Sequence, residues 1–190
     1  MTGKQMIEGK PDLMKRTSSI KDSDPKQGIL PIIGSAPVVL VLGSFPSARA
    51  RTVGEYYANP LNHFWPIIEE LFGISRSLSY SERVRLLADQ QVALWDMVDS
   101  CYQEGSMDST IYEPALNDIR GFLTTHPTIR LVAANGRTAE RFLKRSLGKA
   151  GPPAGVTVIS LPSTSPANAR ESFHQKVQRW RVIRDSAVPS

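Results

Sequence analysis

Three segments of this 190-residue chain concentrate side chains able to hold a flat, polar ring. Gly43-Ser44-Phe45-Pro46-Ser47 follows one apolar run and Leu161-Pro162-Ser163-Thr164-Ser165-Pro166-Ala167-Asn168 follows another. Between them lies Tyr56-Tyr57-Ala58-Asn59-Pro60-Leu61-Asn62-His63-Phe64-Trp65. Its aromatics alternate with amides, a pattern that holds a heterocycle by stacking and by edge hydrogen bonds, and a nucleobase is the natural occupant. Asn62 is the sharpest candidate for chemistry, because a carboxamide accepts a hydrogen bond from water and donates one to a substrate without changing charge. It equally suits capping a helix that begins near Phe64, and the two uses are compatible.

The neighbouring candidates carry similar alternatives. Tyr57, like Tyr56, offers a ring face to a base or to the core, and Phe64 and Trp65 serve as core or as pocket wall. Gly43, Ser44, Phe45, Pro46 and Ser47 form a tight loop whose N–H groups and hydroxyls suit a phosphate, a carbonyl oxygen or a ring edge, or simply make the turn. A serine nucleophile is disfavoured, since the G-x-S-x-G pattern is missing and no histidine is assignable as its base. Asp96 directly follows a predicted strand, where it orients a water or a base edge, or else bonds its own loop or caps a helix. Asn135-Gly136 ends another strand as a cleft amide or a plain turn. Asp99 and Asp108 have no assignable role. Ser163, Thr164 and Ser165, framed by Pro162 and Pro166 and followed by Ala167 and Asn168, suit gripping DNA phosphates around a distorted nucleotide, or form a stiff turn with Asn168 opening the last helix. Arg170, Lys176, Arg179, Arg181 and Arg184 give that helix a basic face, read as DNA contact or as solvated surface.

The elements that must position these residues follow from hydrophobic patterning. Val38–Leu42 is a continuous aliphatic run between Pro37 and Gly43, as expected for a strand covered on both faces. Val92–Trp95, Ile129–Ala134 and Val156–Leu161 read as three more strands. Helical spacing appears from Phe64 to Leu71, around residues 80 to 90, from Leu116 to Leu123, from Gly136 to Leu147 and across Phe173 to Ile183. Pro66 fits only a first helical turn, so the first of these helices must start at about residue 62 to 65. The stretch with Cys101, Gly105 and Asp108 reads as loop. Strands separated by helices imply parallel crossovers, and hence a three-layer α/β/α fold on a four-stranded parallel sheet. In such sheets the loops after Leu42, Trp95, Ala134 and Leu161 converge at the carboxyl edge.

Composition sets the frame. The length suits one domain with one substantial core, residues 36 to 190, preceded by a flexible arm over residues 1 to 35 that is rich in Gly, Pro, Ser and Lys. A formal charge of +5 permits an anionic partner without requiring one. One cysteine forms no internal disulfide, and no Cys/His spacing resembles a metal site, so neither metal nor cofactor is expected. With no leader-like apolar stretch and no span-length run, a cytoplasmic monomer off the membrane is the expectation.

The combination resembles the uracil-DNA glycosylase superfamily, in particular its hypoxanthine-DNA glycosylase branch, the DNA-deoxyinosine glycosylases. The segments quoted above carry the resemblance, together with Ala93-Leu94-Trp95-Asp96, Ser100-Cys101, Gly105-Ser106-Met107-Asp108-Ser109 and Asn135-Gly136, over residues 38 to 184. It implies a monofunctional enzyme that flips a deaminated base from DNA and hydrolyses the N-glycosidic bond, leaving an abasic site. Phe45 stands where related mismatch-specific uracil glycosylases carry an Asn, and a phenyl ring cannot orient water. By resemblance the important Asn is Asn62, Tyr57 stacks on the base with Phe64 in the same set, and Ser163 to Ala167 press into the duplex. Two other readings share these residues: a damage-sensing binding module without catalysis, and an enzyme of free nucleosides. Within the first reading, uracil and xanthine are alternative lesions.

Overall fold

A computed structural model describes residues 24–187. Strands β2 (Val39–Gly43), β3 (Val92–Asp96), β6 (Leu131–Asn135) and β7 (Thr157–Leu161) form a parallel sheet in the order β3-β2-β6-β7. The residues of β2 are buried without alternation, as two covered faces require. Successive side chains point to opposite faces, so Val39 and Val41 enter one core while Leu40 and Leu42 enter the other. The first core is closed by α2 (Phe64–Phe72), α3 (Tyr80–Asp89) and α6 (Phe173–Ala187), through Ile67, Leu87 and Trp180 among others. The second is closed by α4 (Ile119–Thr125) and α5 (Arg137–Leu147), through Leu123 and Leu143. The expected three-layer fold is thus the observed one.

Four features depart from the sequence reading. The stretch after β3 is no simple loop: β4 (Val98–Gln103) and β5 (Ile111–Leu116) pair antiparallel as a hairpin. Its pairing is interrupted by register shifts, so no unbroken period of two runs along it. The described part of the expected arm is not free. β1 (Lys26–Gln27) pairs with β4, and Ile32 bridges Leu94, both N···O distances being 2.9 Å, so the arm covers the β3 edge of the sheet. The rest of that arm, residues 1–23, lies outside the described residues. A short helix, α1 (Ala48–Val53), follows the first loop, with Ser47 Oγ accepting from Ala50 N at 3.3 Å. Finally, Asn168 does not open α6. Ser172 does, accepting from Gln175 N while Gln175 reaches back to Ser172 N.

Candidate active site

The carboxyl ends of the four parallel strands open onto a cleft of about 970 Å³. Its lining includes all of Gly43 to Ser47, with Tyr57, Asn62, Asp96 and Asn135, and the loop from Ser163 to Asn168. The segments singled out by sequence therefore meet, although Gly43 and Asn168 stand 125 positions apart in the chain.

On the β2–β3 side, Gly43 faces the carboxylate of Asp96. A Cβ at residue 43 would fall 2.1 Å from Asp96 Oδ1, so only glycine lets the two strand ends approach this closely. Asp96 is 4 % exposed, and its Oδ2 has no hydrogen-bond partner among the described residues. Burial first, and the charge of Asp108 second, push its carboxyl up to about 7. Asp108 itself comes from the β4–β5 turn and accepts from Ser44 Oγ at 2.6 Å. Phe45 is buried in the loop, with the Arg51 guanidinium 4.9 Å from its ring centre.

Tyr57 takes φ of +57°, a left-handed conformation uncommon for a bulky residue. Its ring stacks on Phe64 at 3.9 Å and 19°. Phe64 itself is fully buried and lies off the cleft, contrary to its expected place in the base-binding set; it buttresses Tyr57 from behind. Tyr56 and Trp65 are core residues, Trp65 Nε1 donating to Tyr56 O at 3.0 Å. Asn62 stands at the start of α2 and at the cleft at once. Its Oδ1 accepts from Phe64 N at 2.9 Å, satisfying an otherwise unpaired donor at the start of α2, and the residue lines the cleft. A carbonyl oxygen has two lone pairs, so one fixes the side chain and the other stays available, as does the N–H₂.

On the β6–β7 side, Asn135 is a clamp. Its Nδ2 donates to Thr164 Oγ1 at 2.9 Å and to Tyr57 Oη at 3.2 Å, while its Oδ1 accepts from Thr164 N at 2.9 Å. Thr164 is fully buried and also takes His63 N on its carbonyl at 2.9 Å. It therefore cannot face DNA as expected. It joins the fourth loop to the residue following Asn62. Asn168 is likewise turned to its own loop, Nδ2 donating to Ser163 O at 3.1 Å. Lys176, expected on an exposed basic face, is fully buried beneath this loop. Its Nζ donates to Asn168 O at 2.9 Å and lies 3.4 Å from His63 Nδ1, and burial lowers the lysine pKa.

The rim is basic, partly through the expected Arg170 and Arg179 and partly through a helix not assigned that role from sequence. Arg137 and Arg141 reach it from the first turns of α5, with Arg170 ahead of α6 and Arg179, paired with Glu171 at 2.9 Å, on α6. Arg181 and Arg184 do not line the cleft. The signal for Arg137 was present in the placement of a strand end at Asn135, since the following helix must begin at the same edge. Among the described residues there is no cluster of three or more His, Cys, Asp or Glu side chains able to hold a metal, and no helix long and apolar enough to cross a membrane.

Comparison with known proteins agrees with this fold. A hypoxanthine DNA glycosylase of Methanosarcina acetivorans is 30% identical over 159 residues, covering 83% of this chain and 97% of that protein. One from Methanosarcina barkeri is 29% identical over 158 residues, covering 82% and 95%. A solution NMR structure from M. acetivorans, described as a candidate uracil DNA glycosylase, superposes with a TM-score of 0.73 at 30% identity, covering 87% of this chain and all of that one. The profile of the uracil DNA glycosylase superfamily matches residues 31–185. The chain belongs to the uracil DNA glycosylase superfamily and is by class a DNA glycosylase, a hydrolase of N-glycosyl bonds.

Proposed function

We propose that this enzyme is a monofunctional glycosylase that excises a deaminated base, hypoxanthine from deoxyinosine, by water attack on the N-glycosidic bond, and so initiates base excision repair in the cytoplasm. The observation that carries this reading is Asn62, anchored through one lone pair to Phe64 N and open to the cleft with the rest of its carboxamide. The names of the Methanosarcina relatives favour hypoxanthine as the lesion.

Excision separates charge, leaving positive character on the sugar and negative charge on the departing base. Phe45 and Tyr57 wall the extruded base, and backbone donors near Ser44 and Ser47 bind its carbonyl edge. Asp96, its carboxyl pushed up to about 7 by burial, presents an O–H donor to the base when protonated, whereas its ionised form repels a leaving anion. Asn62 holds the water beneath the sugar carbon. As the C–N bond breaks, the electron pair leaves with the base; a water oxygen then bonds to the sugar carbon and releases its proton to solvent. Ser163, Ser165, Pro166 and Ala167 press on the duplex, and Arg137, Arg141 and Arg170 hold phosphates.

The test is incubation of the purified protein with duplexes containing inosine, uracil or xanthine, and with free deoxyinosine. Abasic sites at inosine, with free hypoxanthine released, are expected. Tight binding without release overturns catalysis in favour of a damage-binding module, and release only from the free nucleoside overturns the DNA substrate.

A further inference from the structure

The β4–β5 turn reaches the chemistry above only through Asp108, and it is tied to the cleft wall on both sides of its tip. Ser106 Oγ accepts from Ala48 N at 3.0 Å, and Asp108 Oδ1 accepts from Ser44 Oγ at 2.6 Å. The Met107 carbonyl takes Gln103 Nε2 at 3.2 Å and Thr110 Oγ1 at 2.7 Å. The two neighbours of Met107 are thus bound, Asp108 to the first loop and Ser106 to the first residue of α1, and its own main chain is held in an extended conformation at φ −87° and ψ 136°. Its side chain is left 63 % exposed. Single exposed apolar residues are ordinary. Position separates this one: among the described residues the large exposed apolar side chains are Leu30, Val53, Leu61, Met107 and Tyr112, and of these Met107 alone lines the cleft. The sheet order puts the first loop, to which the turn is tied, and the Ser163 loop on opposite sides of β6.

We propose that Met107 is a second wedge, entering the base stack opposite the Ser163–Ala167 loop and filling the space the extruded nucleotide vacates. This rests on the glycosylase reading. A thioether chain suits the task, being apolar, slender and adaptable in shape, and apolar wedges of this kind unstack base steps. The rigid backbone matters because a mobile tip would lose the gain to ordering entropy.

The experiment measures single-turnover excision by wild type, Met107→Ala and Met107→Leu on inosine opposite cytosine, opposite thymine, and opposite an abasic site. Extrusion is hardest for the first and easiest for the last. Met107→Ala is expected to lose about tenfold opposite cytosine, less opposite thymine and under about twofold opposite the abasic site, with Met107→Leu restoring most of the loss. An equal loss on all three duplexes, or no loss on any, overturns the wedge while leaving the glycosylase reading in place. Failure of the wild type to release base from any duplex overturns both.

Discussion

The two sides of the cleft are built on opposite principles. The β2–β3 side leaves polar capacity unspent: Asp96 Oδ2 is buried without a partner among the described residues, and Gly43 sets no side chain against that carboxylate. The β6–β7 side spends its buried polar groups internally, with Asn135 making three hydrogen bonds and Lys176 buried under the loop it ties down. A buried polar group costs free energy unless paired, so one side stores an unmet demand while the other is a finished structure. The lesson is a division of labour. The unsatisfied side is where a ligand gains most, and the satisfied side holds the shape that lets it do so.

That contrast is open to breaking. Removing the Asn62 carboxamide by Asn62→Ala is expected to slow single-turnover excision by about 10²–10³-fold, with DNA affinity changed by less than about threefold. Equal losses in both would mean that Asn62 is only the helix cap. Asp96 should be visible in pH dependence. Its folded pKa is raised from 3.8 to about 7, so the native state binds the extra proton between those values and stability falls as pH rises through them. The contribution is on the order of 4 kcal/mol and is fully present below the lower value. Asp96→Asn should flatten that fall in denaturant unfolding and remove the decline in excision rate above pH 7.

On the finished side the effects should be structural. Asn135→Ala strands Thr164 N and Thr164 Oγ1, and is expected to cost about 2–3 kcal/mol of unfolding free energy. A Tm unchanged by that variant would show the clamp to be idle. The smallest effects belong to the rim. Arg137→Ala and Arg170→Ala should each reduce the salt slope of DNA binding by about one and leave excision of bound substrate almost untouched. Arg181→Ala, away from the cleft, should leave the slope unchanged.

How far the chain could be read without coordinates differs by residue. The strands were plain because an unbroken run such as Val39–Leu42 has only one use, burial on two faces. Their order in the sequence, alternating with helices, then fixed where the loops would gather. Phe64 was harder. Its side chain belongs to the stripe of α2 that enters the core, and nothing local distinguishes that from a pocket wall. The β4–β5 hairpin was missed because bulges broke its alternation.

Sequence by itself determined the layers, the sheet and the edge at which the active segments meet, because apolar periodicity is a local property with a period of two or 3.6 residues. Only the tertiary structure decided which polar residues are spent. Thr164 and Lys176 look like solvent-facing or DNA-facing groups until partners arrive from Asn135, 29 positions away, and from His63, 113 positions away. A polar side chain is admitted to the interior by its hydrogen-bond partner, and no pattern along the chain announces a partner that folding alone brings near.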